Sequence, residues 1–261
     1  MAENDLVLGL AAGYHCGDVR PFLVSLAQSG FQGRCVLFVS NTTRDLKCME
    51  ELGAEVIPFD RPDRAGHVPY NAWRYFLYRD YLAAHPECNG RILLSDVRDV
   101  IFQSDPFSHA WGAGLNVTLE DRRMTIGACP YASRWISGHL GESAWKTLRE
   151  RNISCSGTTL ADRETMLQYL DVLTELLLPF TPGKGMNGYD QGVHNHIVHN
   201  RLLQCSQHDN SGPILTLAYK KGEPETDADG DVLNDSGSKA TIVHQYDRKP
   251  DLFRQIRTRY M

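Results

Sequence analysis

Short apolar strands alternate with helical patterns in the first part of the chain, and this alternation limits the fold more than any other feature. Residues 6–11 are predicted as a first strand, residues 35–40 as a second and residues 55–59 as a third. A helix is predicted in each interval, over residues 19–28 and over residues 44–52. Strands that alternate with helices form a parallel, doubly wound sheet with helices on both faces. The sequence therefore predicts an α/β fold with a mostly parallel central sheet.

Length and composition favour one globular domain that handles small molecules. The 261 residues suffice for a single large α/β core, and no linker composition interrupts the chain before about residue 206. We therefore predict one domain over residues 1–261. The hydrophobic fraction of 42% is ordinary, and the net charge of −5 provides no electrostatic attraction to nucleic acid or to an anionic membrane. Small molecules are the expected partners.

The N-terminal sequence and the cysteines predict a cytoplasmic protein. The segment MAENDLVLGLAAGYH has acidic residues where a signal peptide has a basic region, and its apolar run is too short to span a bilayer. The seven cysteines are odd in number, scattered and without a CxxC pair, which argues against a zinc site and against a disulfide framework. Reduced thiols fit this pattern best.

The stretch from residue 91 to residue 107, RILLSDVRDVIFQSDPF, carries the candidate chemistry. Its first apolar run predicts a strand buried on both faces, which the chain leaves at Ser95. Asp96 and Asp99 follow at the strand end, where open α/β sheets bind ligands, and a pair of acids there is positioned to hold a cation. Arg98 between them indicates a site that also binds anions. The alternative interpretation is that both acids only cap a turn.

The other segments are assigned from periodicity and turn residues. Tyr70–Ala84 is predicted as an amphipathic helix with Arg74 on its surface. A helix start is predicted at residues 104–107, with Asp105 as its cap. Further helices are predicted over residues 142–152, 161–178 and 191–203, and further strands over residues 115–119, 126–128 and 241–247. Loops are predicted over residues 155–159 and 181–188, and a solvated hairpin over residues 220–239.

Three of the later segments contain candidate functional groups, although two of them also have a purely structural interpretation. The loop over residues 155–159 is rich in small hydroxylated residues and could offer backbone N–H groups to an oxyanion, or could be a simple turn. Asp190 near a helix start could be only a cap. His244 at a strand end, followed by Arg248 and Lys249, suits a diphosphate.

Taken in order, these motifs resemble the GT-A class of nucleotide-sugar glycosyltransferases, especially its glycogenin-type retaining members. Those enzymes have a buried strand ending in Asp-x-Asp, then a loop of small residues facing the acceptor, then Asp-Gln near a helix start, and a late His followed by Lys-Pro. The corresponding stretches here are residues 95–99, residues 152–159, Asp190-Gln191, and His244 with Lys249-Pro250. The resemblance spans most of the chain. It implies a GT-A fold with a nucleotide-sugar-binding half over residues 1–107 and an acceptor-side half over residues 108–261.

The resemblance also implies a role for each matching group, in a transfer of sugar from a nucleoside-diphosphate sugar to a hydroxyl of a glycan or small molecule. The implied ligands of Mn²⁺ or Mg²⁺ are Asp96, Asp99 and His244. The implied contacts to the diphosphate are Arg74, Arg248 and Lys249. The groups beside the nucleotide base would be Ala11, Gly13 and Tyr14, and those facing the transferred sugar would be Asp190 and Gln191. Retention of the anomeric configuration is the outcome that the resemblance implies.

The sequence departs from the family pattern at Arg98, which stands where the second aspartate of Asp-x-Asp would be. The next acid is Asp99. Residues three apart on an extended strand face opposite sides, so Asp96 and Asp99 can bind one ion only if the chain turns between them. Alternatively, Arg98 itself pairs with the diphosphate and does part of the work of a cation.

Two other functions remain open at this level. One is an aspartyl-phosphate phosphohydrolase, whose first strand also ends in an acid, although that chemistry needs a second acid two residues later, where this chain has Arg98. The other is a catalytically silent module that only binds nucleotide sugars. The donor base, the donor sugar and the acceptor depend on pocket shape rather than on any motif.

Overall fold

The computed structural model of the chain describes residues 4–62 and 66–261. The strands in these ranges are β1 (Leu6–Leu10), β2 (Arg34–Val39), β3 (Ala54–Pro58), β4 (Arg91–Ser95), β5 (Val100–Phe102), β6 (Leu115–Leu119), β7 (Ser154–Asp162), β8 (Cys205–His208), β9 (Ile214–Thr216) and β10 (Ile242–His244). The α-helices are α1 (Cys16–Gln28), α2 (Leu46–Glu51), α3 (Tyr70–Ala84), α4 (Pro130–Leu140), α5 (Glu142–Leu148), α6 (Arg163–Leu176), α7 (Tyr189–His199) and α8 (Pro250–Tyr260). None of these helices is both long enough and apolar enough to cross a membrane.

Seven strands form the central sheet, in the spatial order β3-β2-β1-β4-β7-β6-β8. β1 pairs in parallel with β2 on one side and with β4 on the other, so the strand order reverses at this boundary. β2 also pairs in parallel with β3, and β6 with β8. β7 lies antiparallel to both β4 and β6. The predicted α/β fold with a mostly parallel sheet flanked by helices is therefore confirmed.

Helices cover both faces of this sheet because its central strands are apolar on both sides. In β1, Leu6 and Leu8 face one core and Val7 faces the other. The first core packs α3, α6 and α7 against the sheet and contains the fully buried rings of Tyr75 and Tyr169. The second core packs α1 against the opposite face. Period-two alternation of apolar side chains thus supplies both layers.

Three short strands form a second, smaller sheet beside α1. β10 lies in its centre, antiparallel to β5 and parallel to β9. One face packs on the α1 core through Phe102 and Ile242, and the other is covered by α8 through Leu252. In this sheet Val100, which follows the acids after β4, pairs with His244. The register brings a histidine from late in the chain to the segment that follows the central strand.

The predicted hairpin over residues 220–239 and the strand after it are shorter than expected. The hairpin segment contains two isolated antiparallel bridges, Thr226 with Val232 and Leu233 with Lys239. The strand ends at His244 rather than continuing to residue 247, because Gln245 adopts a left-handed conformation with φ of 60°. A short 3₁₀ turn, Tyr246–Arg248, then leads into α8.

Two short predicted elements, one on each side of β6, are wrong. The helix start expected at residues 104–107 is a turn, in which the Asp105 carboxylate accepts the N–H of Phe107 at 2.9 Å. The strand expected at residues 126–128 is also a turn. It leads into α4, a helix that is not predicted from the sequence. The Cys129 thiol caps α4 by accepting the N–H of Ala132. Cysteine is not among the residues that mark helix starts, which is why this helix escapes prediction.

The loop expected over residues 155–159 lies inside β7. Leu94 and Ser95 of β4 pair with Thr159 and Thr158, respectively. Threonine is β-branched and suits a strand, so small hydroxylated residues alone do not indicate a loop. The proposed oxyanion-binding loop is therefore wrong, although one end of β7 does reach the site described below.

Cys16 and Cys48 form a disulfide that joins the start of α1 to α2, with Cα atoms 6.1 Å apart. The expectation of reduced thiols is wrong for this pair. The remaining cysteines are free: Cys35, Cys88, Cys129, Cys155 and Cys205. The paired residues are 32 positions apart, and they meet only because β1 and β2, which precede their helices, lie side by side. Spacing in the sequence carries no signal of that proximity.

Candidate active site

A cleft of about 400 Å³, here called the main cleft, lies at the carboxyl ends of β1 and β4. Ala12 and Tyr14 line it after β1, and Asp96, Arg98 and Asp99 line it after β4. Further lining groups come from β7, from the start of α7 and from the turn after β10, namely Ser156, Gly157, Asp190, Gln191, Asp247 and Arg248. The cleft lies where the strand order reverses, which is the usual ligand position in open α/β sheets.

The three predicted metal ligands, Asp96, Asp99 and His244, meet at the main cleft, which Asp96 and Asp99 line and beside which His244 is buried. One ligand atom from each residue lies within 4.8 Å of the other two. The Nε2 atom of His244 is 3.4 Å from an Asp96 carboxylate oxygen and 3.9 Å from an Asp99 oxygen. Two carboxylates and an imidazole are a donor set that suits a divalent cation such as Mn²⁺. The chain does turn between the two acids, as shared binding of one ion requires.

Backbone hydrogen bonds fix this convergence. The N–H of Asp96 donates to the carbonyl of Gly157 in β7 at 2.7 Å. The carbonyl of Asp99 accepts the N–H of Gln245 at 2.7 Å. Between these anchors the chain turns, and it then enters β5, which pairs with His244. The sheet pairings therefore bring the three side chains together by themselves.

Gly157 provides the space that the cluster occupies. A Cβ atom built on Gly157 would lie 2.3 Å from Cε1 of His244 and 2.6 Å from an Asp96 carboxylate oxygen. Such approaches are far inside van der Waals contact, so any side chain at this position would displace a ligand. Sequence reasoning missed this glycine because its role depends on the pairing of β4 with β7.

The imidazole of His244 is buried and oriented toward the carboxylates. Its Nδ1 atom lies 3.6 Å from the Cys155 sulfur, whereas its Nε2 atom has no hydrogen-bond partner among the residues that the structure describes. A buried polar nitrogen without a partner is unfavourable. Without an ion, Cys155 and the two carboxylates outweigh burial and raise the pKa of His244. In the neutral form with its proton on Nδ1, directed at sulfur, the lone pair of Nε2 would face Asp96 and Asp99, as in a metal-ligating histidine. The residues present therefore fit a divalent cation.

Arg74 is buried, and not on the helix surface as predicted. Its guanidinium pairs with the Asp96 carboxylate and lies 3.5 Å from the Asp190 carboxylate. Because Arg74 uses one oxygen of Asp96, the other oxygen faces His244. Asp190 is also buried, and its side chain does not cap α7. Arg74 and Asp190 both line the main cleft, so the structure brings them to the predicted site.

The two carboxylates of the cluster are shifted in opposite directions. Burial raises the pKa of Asp99 to about 6, and the nearby charge of Asp96 acts in the same direction. Burial would also raise the pKa of Asp96, but Arg74 and His244 together outweigh it and hold that pKa well below its ordinary value. Two acids this close repel each other when both are charged, and a cation between them would remove the repulsion.

Arg98 and Arg248 supply positive charge along the main cleft. Their side chains are more than half exposed, and the Asp247 carboxylate lies 3.6 Å from Arg98 and 3.5 Å from Arg248. Lys249 does not line this cleft. It is 8% exposed, and its amine donates to the backbone carbonyl of Lys220. The expected contact of Lys249 with a diphosphate therefore has no support in the geometry, whereas Arg98 and Arg248 are available for that contact.

The turn after β1 presents Tyr14 to the main cleft, while Ala11 and Gly13 shape the turn. Ala11 is fully buried. The N–H of Gly13 donates to the hydroxyls of Ser40 and Thr43 at 3.0 and 3.1 Å. Its φ of 76° is a conformation that glycine adopts without strain. Burial, followed by the nearby carboxylates, raises the pKa of Tyr14, so its phenol stays protonated and able to donate a hydrogen bond.

Sequence reasoning did not single out Gln245, although this residue shapes the far side of the cleft. Its left-handed backbone places His244 before a bend and Asp247 after it. Such a conformation costs a non-glycine residue roughly 1 kcal/mol or more, and glycine or asparagine usually marks it. Here the side-chain oxygen of Gln245 holds the bend by accepting hydrogen bonds from the Thr216 hydroxyl and the Ala218 N–H at 2.7 and 3.2 Å.

Comparison of the sequence with known protein families and with curated proteins finds no match.

Proposed function

We propose that this protein is a GT-A-type glycosyltransferase, which moves a sugar from a nucleoside-diphosphate sugar to a hydroxyl acceptor with the help of a divalent cation. The observation that carries the proposal is the convergence of Asp96, Asp99 and the buried His244 beside a cleft at the reversal point of an α/β sheet. The order of the motifs along the chain supports the same function. Retention of the anomeric configuration is part of the proposal on the ground of the resemblance alone.

The charges around the main cleft suit a diphosphate. A divalent ion held by the cluster would supply positive charge where the leaving diphosphate gains negative charge. Arg98 and Arg248 can add two more positive charges from the exposed side, and guanidinium groups bind phosphates in a bidentate manner. Asp190 and Gln191 line the same cleft and are available to hydrogen-bond the hydroxyls of the transferred sugar.

Binding of Mn²⁺ to the apo protein tests the cluster directly, by electron paramagnetic resonance titration. We expect stoichiometric binding in wild type and a loss of about tenfold or more in affinity in Asp96→Asn and in Asp99→Asn, because each change removes a charged ligand. Asp171→Asn is the matched control, since Asp171 is exposed on α6 away from the cleft. Wild-type Mn²⁺ affinity in both cluster variants would rule out the metal assignment.

Gly157→Ala tests the same cluster without changing a ligand. The added methyl must displace His244 or Asp96, so we expect weaker Mn²⁺ binding while all three ligands remain in the sequence. Thermal melting in chelator checks that the variant folds.

Turnover of a panel of nucleoside-diphosphate sugars, with Mn²⁺ and with or without added acceptors, tests the catalytic part of the proposal. Transfer to an acceptor supports a glycosyltransferase, and the configuration of the product by NMR reports retention or inversion. Release of phosphate from simple phosphate esters, without any sugar transfer, would favour a phosphohydrolase. Tight binding of a nucleotide sugar without turnover would favour a silent binding module.

A further inference from the structure

A second cavity of about 500 Å³, here called the side cleft, adjoins the main cleft. The two cavities share Trp135, Gln191, Gln245 and Arg248 as lining residues. The side cleft therefore opens beside the groups that would hold the transferred sugar. A molecule bound there could present a group to the main cleft without displacing a ligand of the metal cluster.

Aromatic side chains form much of the wall of the side cleft. Tyr131 and Trp135, one helical turn apart on α4, have ring centroids 6.2 Å apart. The side chain of Tyr131 is 58% exposed, which is unusual for a large aromatic ring. The hydroxyl of Tyr219, which also lines the cavity, lies 3.0 Å from the Cys129 sulfur at the start of α4. These rings offer an apolar surface next to polar groups.

Glu120, which follows β6, places a buried carboxylate in the same wall. The residue is 3% exposed, and one of its oxygens accepts a hydrogen bond from the Gln191 amide at 3.4 Å. The other oxygen has no hydrogen-bond partner within the described part of the chain. A buried carboxylate oxygen without a donor is unfavourable, and a donor supplied by a ligand would satisfy it.

We propose that the side cleft binds the acceptor, and that the acceptor is a pyranose sugar. The inference rests on the proposed function. A pyranose ring has a face of C–H groups that packs against the rings of Tyr131 and Trp135, and hydroxyl donors at its edge that reach Glu120 and Gln191. An acceptor hydroxyl on this sugar would point through the shared boundary toward the main cleft.

Other ligand classes fit the side cleft less well. A purely apolar molecule would leave the Glu120 oxygen unpaired, and an anion would be repelled by that carboxylate in its charged form. Burial raises the pKa of Glu120 to about 7, so above this pH the group is a charged acceptor that suits a neutral hydroxyl donor and repels an anion. A neutral molecule with both hydroxyl donors and an apolar face can contact the aromatic rings and the Glu120 carboxylate at the same time.

Saturation-transfer difference NMR with methyl pyranosides tests this proposal. The panel contains the α and β methyl glycosides of glucose, galactose, mannose and xylose, each at millimolar concentration with the Mg²⁺-loaded full chain. We expect at least one of them to bind through its ring protons. Tyr131→Ala should weaken that binding about tenfold through loss of the ring surface. Glu120→Gln should weaken it by about tenfold or more through loss of the charged acceptor.

Leu202→Ala is the matched control, because Leu202 is another exposed large apolar side chain and lines neither of the two clefts. It should leave pyranoside binding unchanged. The proposal is overturned if no methyl pyranoside binds, or if both Tyr131→Ala and Glu120→Gln bind as wild type does. Thermal melting of each variant checks its fold.

The two proposals fail separately. If Mn²⁺ binding and donor turnover are intact but no pyranoside binds, the acceptor assignment falls and the glycosyltransferase proposal stands. If pyranosides bind at the side cleft but no nucleotide sugar is bound or turned over, the glycosyltransferase proposal falls and a carbohydrate-binding cleft remains.

Discussion

Glu120 is a single buried acid whose ionisation should be visible in the stability of the whole protein. Burial raises its pKa from 4.5 to about 7, despite the opposing charges of His244 and Arg248 and the hydrogen bond from Gln191. The folded state therefore binds a proton more tightly than the unfolded state, and the free energy of unfolding falls as pH rises between these two values. The loss is at most about 3.5 kcal/mol, from about 1.4 kcal/mol per pKa unit between 4.5 and about 7.

Glu120→Gln should remove this dependence, because an amide does not titrate. In chelator, we expect the variant to gain stability relative to wild type between pH 5 and pH 8, as measured by urea unfolding at each pH. Glu150→Gln is the control, since the Glu150 side chain is 81% exposed. The outcome against this prediction is a difference in free energy of unfolding between wild type and Glu120→Gln that is the same at pH 5 and at pH 8. It would mean that solvent entering the side cleft screens the carboxylate.

Individual residues of the candidate site differ in how far the sequence reveals them. Asp96 and Asp99 can be predicted because a buried strand and its end are visible as an apolar run followed by acids. The role of Gly157 cannot be predicted. A side chain at this position would clash with His244 and Asp96, and these residues become neighbours of Gly157 only through strand pairing. Lys249 is misplaced for a related reason: its side chain turns away to a backbone carbonyl, and side-chain direction has no periodic signal in the sequence.

At the scale of secondary structure, a side chain of α4 restrains the glycine-rich segment over residues 181–188 by a hydrogen bond. The Trp135 indole N–H donates to the carbonyl of Gly185 at 2.8 Å, and its ring leaves no room for a Cβ on Gly188. We expect Trp135→Ala to release this segment, so that trypsin cleaves after Lys184 several-fold faster. Mass spectrometry of timed digests measures the rate.

Tyr131→Ala is the control for this digest, because Tyr131 lies on the same helix but makes no hydrogen bond to the segment among the described residues. If both variants are cleaved at the rate of wild type, Trp135 does not restrain the segment. If both are cleaved faster, α4 itself is destabilised rather than the contact.

Secondary structure elements are predictable here in proportion to their periodicity. Tyr70–Ala84 is a helix over the residues predicted, since its apolar positions recur at helical spacing. β7 is mistaken for a loop because its serines, threonines and glycine lack the apolar alternation that marks a strand, and its burial comes from β4 and β6 on either side. Tertiary pairing overrides local composition in such a strand.

At the scale of the whole molecule, the Cys16–Cys48 disulfide closes a loop that contains β2 and thereby restrains the unfolded chain. For a loop of this length, the chain-entropy estimate of the stabilisation is about 3–4 kcal/mol. We expect reductant or Cys48→Ser to lower the free energy of unfolding by a similar amount, measured by urea titration with and without dithiothreitol.

Cys205→Ser is the control for the disulfide, because Cys205 is free. It should respond to reductant as wild type does. Unfolding of wild type that is insensitive to reductant would show that the two thiols do not form the bond in solution.

The pairing of β10 with β5 has a consequence for how the protein is made. The central sheet is complete once β8 has been synthesised, and by then Asp96 is held at the carboxyl end of β4 by its hydrogen bond to Gly157 in β7. His244 emerges from the ribosome much later, on a strand outside that sheet. A nascent chain therefore passes through a stage in which its central sheet can fold before the three residues of the ligand cluster are all present. If the proposed metal site is correct, a chain that ends before β10 would retain the strands of the central sheet but could not assemble the three ligands.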